Sequence, residues 1–126
     1  MVDMSEKIIM YSDGGSRGNP GPSALGVYIK TLDKQFGEFL GIKTNNEAEY
    51  MAIVAGLKKI KALIGKDKAK TASIECRMDS ELAMKQLTHQ YKVEKEHIQK
   101  LCFLVWNLTL DFGHVDFIHV PREENT

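Results

Sequence analysis

Short runs of alternating apolar and polar side chains fill the first third of the chain. An apolar run over residues 7–12 predicts a strand, and it leads into a stretch rich in glycine and proline that predicts a turn. Residues 24–30 predict a second strand and residues 35–42 a third. Because the connections between these strands are short, we expect an antiparallel meander.

The remainder of the chain has a helical periodicity that is interrupted by further strands. Residues 46–64 place apolar side chains three and four positions apart, which predicts a helix with Asn45 or Asn46 as its N-cap and Gly65 as its end. Four more elements follow in the order strand, helix, helix, strand, at residues 72–78, 80–88, 95–110 and 115–120. This order predicts an α/β fold with a mixed five-stranded sheet flanked by helices.

Length and composition fit a single domain over residues 1–126. Of the 126 residues, 43% are hydrophobic and 27% are charged, which is typical of a globular protein with one core. No apolar run approaches the roughly 18 residues of a membrane span, and residues 1–7 lack the apolar region of a signal peptide. We therefore expect no membrane contact and a cytoplasmic location. Cys76 and Cys102 lie among apolar neighbours, so both are expected to be buried thiols.

Net charge identifies no class of partner. The chain carries 17 basic and 17 acidic residues, so its formal net charge is zero. One basic cluster is present, at Lys58, Lys59, Lys61, Lys66, Lys68 and Lys70. Such a run is typical of a solvated helix face, so evidence for nucleic-acid binding has to come from motifs.

Two aspartates lie where predicted strands end. Asp13 follows the first strand, where the chain becomes rich in glycine, and Asp79 separates the fourth strand from the next helix. Ligand sites form at strand ends in α/β sheets because loops converge there on a rigid support. Aspartate is also common in turns and at helix N-termini, so either position alone is open to that simpler interpretation.

Glu49 is the more informative acidic residue. The helical periodicity places it at the edge of the apolar stripe that contains Ile53 and Ile60. A carboxylate facing the core is costly unless a metal ion or a hydrogen-bond donor compensates it, whereas Glu47 is predicted to face solvent at the helix N-terminus. With the two aspartates, Glu49 forms an all-oxygen set that suits Mg²⁺, and two such ions about 3.5–4 Å apart can clamp a phosphodiester.

Three segments resemble the active-site motifs of type 1 ribonuclease H. They are residues 13–22 (DGGSRGNPGP), 44–50 (TNNEAEY) and 78–80 (MDS). The order of the predicted elements is also similar to that family's fold from residue 7 onward. Residues 119–125 (HVPREEN) resemble the family's segment before its last helix. The resemblance therefore implies a ribonuclease-H-like sheet.

By this resemblance, the chain is an endonuclease that hydrolyses the RNA strand of RNA–DNA hybrids by a two-metal-ion mechanism. It implies that Asp13, Glu49 and Asp79 are catalytic residues and ligands of two Mg²⁺ ions, for which Mn²⁺ can substitute. The residues implied in hybrid binding are Gly14, Gly15, Asn19, Asn45 and Asn46. Asparagine amides both donate and accept hydrogen bonds, and glycines permit close approach of a ligand. A monomer is expected.

Two features of the family are not matched. The family has a fourth metal-site aspartate on its last helix, a few residues beyond the asparagine matched by Asn125, and this sequence ends at Thr126. We therefore expect a domain truncated before that helix, either as a fragment of an enzyme or as a protein without that ligand. The basic protrusion of some members is absent from the short connection at residues 90–94. His119 lies near the family's catalytic-loop histidine but is expected to belong to the last strand.

Three alternatives stay open at the level of sequence. A ribonuclease-H-fold module without the fourth carboxylate would bind nucleic acid without cutting it. A small-molecule phosphate binder would use the glycine-rich loop, although that loop lacks the lysine and the following helix of a P-loop. A transposase or Holliday-junction nuclease of the same fold is disfavoured by the asparagine-rich second motif, which suits the reading of RNA.

Overall fold

The computed structural model describes residues 7–125 and contains one five-stranded sheet. Residues 1–6 and Thr126 lie outside the described residues. The prediction about a signal peptide concerned residues 1–7, so most of that segment is not described. The strands are β1 Lys7–Ser16, β2 Gly21–Ile29, β3 Lys34–Lys43, β4 Ser73–Met78 and β5 His114–His119. Their spatial order is β3-β2-β1-β4-β5. The first three pair antiparallel, and β4 and β5 add in parallel, which confirms the predicted α/β fold.

Four helices accompany the sheet in the described part of the chain. They are α1 Asn45–Ile64, α2 Lys66–Ala69, α3 Glu81–Leu87 and α4 Glu96–Thr109. The sequence pattern did not predict α2, a single turn that follows Gly65 directly. Helix α1 packs across β1 and β2 and contacts α4, so it forms the centre of the core. None of the helices within residues 7–125 is long and apolar enough to cross a membrane.

Helix α1 begins with a different cap from the one predicted. Thr44, not Asn45 or Asn46, is the N-cap: its hydroxyl accepts a hydrogen bond from the Glu47 backbone N–H at 3.1 Å. The Glu47 carboxylate accepts in return from the Thr44 N–H at 2.9 Å, which completes a capping box. Glu47 is therefore half-buried rather than free in solvent. The Asn45 side chain accepts from the Ser16 N–H instead, and Asn46 makes no side-chain hydrogen bond within the described residues.

The first strand is longer than predicted and passes through Asp13. Its antiparallel pairing with β2 continues through Gly14 and Gly15, which lie opposite Leu25 and Ala24. The parallel pairing with β4 ends earlier, at Ser12 opposite Met78. Glycine usually weakens strands, but here the pairing with β2 keeps both glycines in the strand. Asp13 therefore lies within a hairpin, at the point where β1 loses its neighbour on the other side.

The core lies between the sheet and α1 and includes both cysteines. Cys76 and Cys102 are buried free thiols, as predicted. The closest backbone contact in this layer is at Gly14: a Cβ added there would lie 2.2 Å from the carbonyl carbon and oxygen of Ala48 in α1. The neighbouring Gly15 faces the other way, and an added Cβ would have no heavy atom within 4 Å. Of these two glycines, Gly14 is the one that the packing of α1 requires.

These two glycines provide a matched test of the packing. Gly14→Ala is expected to lower the free energy of unfolding by about 2 kcal/mol or more, because the new methyl group meets rigid backbone. Gly15→Ala is expected to stay within about 0.5 kcal/mol of the parent. Urea denaturation followed by circular dichroism measures both. Equal losses in the two variants would contradict the close approach of β1 to α1.

Candidate active site

Three carboxylates from different elements meet at one edge of the sheet. Asp13, Glu49 and Asp79 each contribute an oxygen, and these oxygens all lie within 4.8 Å of one another. Asp13 and Asp79 are adjacent because each follows the last parallel pair of β1 and β4. Glu49 enters from the first turns of α1. The structure thus brings together the three acidic residues that the sequence predicted as metal ligands.

Glu49 is the most buried member of this carboxylate cluster, with 6% of its surface exposed. Its Oε1 accepts a hydrogen bond from the Gly14 backbone N–H at 3.1 Å, while its Oε2 is buried without a partner among the described residues. Burial raises the pKa of Glu49 to about 8, and the nearby carboxylates of Asp79 and Asp13 add to this, against the Gly14 hydrogen bond. The fold therefore places a carboxyl group where its charge has too little compensation.

The two aspartates have different surroundings. Burial and then the Asp79 carboxylate raise the pKa of Asp13, and the charge of Arg122 opposes that rise. The Asp79 side chain is only 7% exposed, and its Oδ2 lies 3.5 Å from the Arg122 Nε. Sequence reasoning did not assign Arg122 to the site. Its signal was present in the segment at residues 119–125, but only the folded chain places it beside Asp79.

This carboxylate cluster fits a divalent cation. It offers hard carboxylate oxygens from three elements, and one of them, Oε2 of Glu49, is buried and unpartnered. An all-oxygen set suits Mg²⁺ or Mn²⁺ and gives no soft or imidazole ligand that would favour zinc or copper. His119 belongs to β5, as predicted. Its side chain is exposed and is not one of these ligands.

The predicted asparagines line an open groove beside the carboxylate cluster. This groove has a volume of about 750 Å³. The Asn45 Oδ1 accepts from the Ser16 N–H at 2.9 Å, and the Asn19 Oδ1 accepts from the Asn45 N–H at 2.9 Å. These bonds join the β1–β2 turn to the start of α1. They occupy the amide oxygens of Asn19 and Asn45 but leave their Nδ2 groups able to donate to a ligand.

A second groove, of about 770 Å³, continues from the first past Asn46 and Leu82. Its far wall is the segment between α3 and α4, including Lys92 and Lys95. Gln86 supports this wall from below: its Oε1 accepts from the buried Tyr50 hydroxyl at 2.8 Å, and its Nε2 donates to the Lys92 carbonyl at 3.4 Å. This wall could not be predicted from the sequence because the segment has no periodicity or motif.

The raised pKa of Glu49 makes the stability of the metal-free protein depend on pH. An unfolded glutamate has a pKa of about 4.3, so between that value and about 8 the folded protein binds a proton that the unfolded chain has released. Stability is therefore expected to fall as pH rises through this window and to level off above it. Glu49→Gln mimics the protonated form and removes this loss.

The measurement is the melting temperature in EDTA between pH 4.5 and pH 9. At pH 8.5, Glu49→Gln is expected to melt about 5 °C or more above the parent, and at pH 5 the two should nearly coincide. Glu38→Gln, an exposed change on β3, is the control and should follow the parent. Parallel curves for the parent and Glu49→Gln would show that Glu49 is not destabilised by burial.

Comparison with known proteins places this arrangement in a family. The sequence profile described as RNase H matches residues 5–120. The chain is 35% identical over 127 residues to ribonuclease HI of Halobacterium salinarum, an alignment that covers 98% of this chain and 61% of that protein. It is 34% identical over 127 residues to the bifunctional protein Rv2228c of Mycobacterium tuberculosis, covering 95% of this chain and 33% of that protein. The chain thus spans only part of these relatives.

Solved structures agree with the sequence comparison. The structure of LC11-RNase H1 in complex with an RNA/DNA hybrid superposes with a TM-score of 0.87 at 33% identity, covering 94% of this chain and 88% of that one. RNase H1 from Halobacterium salinarum gives a TM-score of 0.83 at 35% identity, with coverages of 95% and 89%. Together with the profile match over residues 5–120, these similarities show that the chain belongs to the RNase H family.

Proposed function

We propose that this chain hydrolyses the RNA strand of RNA–DNA hybrids, using two divalent metal ions held by Asp13, Glu49 and Asp79. The observation that carries the proposal is the carboxylate cluster, whose oxygens lie within 4.8 Å of one another at the edge of an asparagine-lined groove. The relative LC11-RNase H1 has been solved with an RNA/DNA hybrid, which supports this class of substrate.

The carboxylates act mainly as positioned ligands. When bound, divalent ions supply an activated water for attack on the phosphodiester and stabilise the charge on the leaving oxygen. Asp13 lies on β1, which pairs with β4 and packs against α1, so it would hold the ions together with Glu49 and Asp79. The Gly14 N–H holds one oxygen of Glu49 and leaves the other for the metal site. Because these side chains come from a rigid sheet and a packed helix, they need little reorganisation on binding.

The groove beside the carboxylate cluster suits the shallow minor groove of a hybrid. Asn19 and Asn45 present amide N–H groups there, because their oxygens are used within the protein. Such donors pair with the acceptors on base edges and with the 2′-hydroxyl that distinguishes RNA from DNA. Gly15 lies along the same groove with open space where a side chain would be. These features support recognition of RNA within a duplex.

Asp13→Asn tests the catalytic assignment. The amide keeps the shape of the side chain but loses the negative charge, so cleavage is expected to fall by at least about 10³-fold while the protein stays folded. The assay uses a labelled RNA–DNA hybrid, with the matching single strands and duplexes, in Mg²⁺, Mn²⁺ or EDTA. Asp33→Asn is the matched control, since Asp33 has a positive φ of 52° in a distant turn and asparagine adopts that conformation readily.

The same assay distinguishes the rival functions. Metal-dependent cutting confined to the RNA strand of the hybrid is expected of the parent. Tight binding of hybrid without cutting in either metal would instead indicate a nucleic-acid-binding module. Cutting by Asp13→Asn at the parent rate would remove Asp13 from the mechanism.

Asn46 allows substrate recognition to be tested apart from folding. It lines both grooves and makes no side-chain hydrogen bond within residues 7–125, unlike Asn19 and Asn45. Asn46→Ala is expected to raise KM for the hybrid about three- to tenfold, the loss of one hydrogen bond, with little change in the melting temperature. Steady-state kinetics measure this, and Asn107→Ala, an exposed change on α4, is the control. An unchanged KM would exclude Asn46 from the contact.

A further inference from the structure

We propose that Arg122 is a tethered counter-ion of the carboxylate cluster, which pairs with Asp79 in the free protein and competes with the divalent cation for that carboxylate. The inference rests on the proposed function, since it requires that the carboxylate cluster bind a divalent ion. It adds an internal competitor that lowers the affinity of the free protein for metal.

The ion pair between Arg122 and Asp79 is asymmetric. The Arg122 Nε lies 3.5 Å from the Asp79 Oδ2, and the Arg122 side chain is 87% exposed while that of Asp79 is 7% exposed. The guanidinium can therefore turn away into solvent, but the carboxylate cannot leave the site. Within the described residues this is the one ion pair that any member of the carboxylate cluster makes. Arg122 is thus the local cation that the fold provides for these charges.

The backbone around Arg122 is held at the site on both sides. Before it, the Val120 N–H donates to the carbonyl of Met78, the residue that precedes Asp79, at 2.8 Å. After it, the buried Asn125 donates from Nδ2 to the carbonyl of Ser12, the residue before Asp13, at 3.0 Å. A side chain tethered in this way has a high effective concentration at the carboxylates. Its pairing therefore recurs each time the site is empty.

The two kinds of cation meet the same oxygens. Three carboxylates within 4.8 Å repel one another, and any positive charge among them lowers their energy. A divalent ion that uses Asp79 as a ligand has to displace the guanidinium, so its apparent affinity is reduced by the strength of that pair. Arg122 lines the groove, so after displacement its charge stays close to an entering anionic substrate.

The test is the affinity for Mn²⁺ and Mg²⁺ in the absence of nucleic acid, measured by isothermal titration calorimetry. For Arg122→Gln, the dissociation constant is expected to fall about three- to tenfold, in line with the release of a partly exposed ion pair. Arg122→Lys keeps the positive charge but replaces the planar guanidinium with a compact ammonium group. Its dissociation constant should lie between those of the parent and Arg122→Gln. Lys59→Gln removes the same charge from an exposed position of α1, about 15 Å along the helix from Glu49.

The melting temperature in EDTA gives a second readout. Without its counter-ion, Arg122→Gln is expected to melt below the parent in EDTA and to gain more from saturating Mn²⁺. A role of Arg122 in the packing of its own turn would instead lower the melting temperature equally with and without metal. That equal loss would overturn the inference.

The outcomes separate the inference from the proposed function. Tighter metal binding by Arg122→Gln, with Lys59→Gln unchanged, supports the counter-ion. Equal affinities of the parent and Arg122→Gln, in a parent that binds metal, overturn the counter-ion and leave the metal site intact. The same gain in Lys59→Gln overturns it too, because net charge would then be the cause. Absence of binding in every variant would overturn the metal site itself, and the inference with it.

Discussion

The close approach of β1 to α1 at Gly14 is the constraint on which the site depends. Because Gly14 has no side chain, the backbone of α1 can lie against the strand, and the Gly14 N–H can reach the Glu49 carboxylate at 3.1 Å. That hydrogen bond holds the Glu49 carboxylate next to β1. Asp13 is the preceding residue of the same strand, so one contact fixes two of the three carboxylates relative to each other. The third, Asp79, is placed by the pairing of β1 with β4.

The carboxylate cluster is held together at an electrostatic cost. Its members would repel one another if all were charged, and burial makes that worse for Glu49. Three forms of compensation are available: a proton on Glu49, the guanidinium of Arg122, and a divalent ion. They compete, since each supplies positive charge to the same small volume. Such a site lowers the stability of the metal-free fold but keeps its carboxylates in place for binding, as functional sites often do.

Two of the asparagines that we propose as contacts to the hybrid also hold the asparagine-lined groove together. Asn19 and Asn45 connect the β1–β2 turn to the start of α1 through their side-chain oxygens, and the same bonds orient their amide N–H groups. The turn and the helix are thereby kept in a fixed relation before any substrate arrives. The wall formed by the segment after α3 is supported in a similar way by Gln86, which links it to Tyr50, the residue next to Glu49. The grooves and the carboxylate cluster therefore share one rigid frame.

The sequence by itself determined the order of the five strands and the three longer helices, and the core-facing position of Glu49. It also determined that Asp13, Glu49 and Asp79 are the candidate metal ligands. These follow from hydrophobic periods and motifs, which are local along the chain. Its local errors were the N-cap, where the Thr44–Glu47 capping box outweighs the neighbouring asparagines, and the single turn α2, which the pattern did not predict. Only the tertiary structure decided that β1 continues past Asp13, that Gly14 is needed against α1, and that Arg122 meets Asp79. Each of these depends on the register between segments far apart in sequence, which no local pattern encodes.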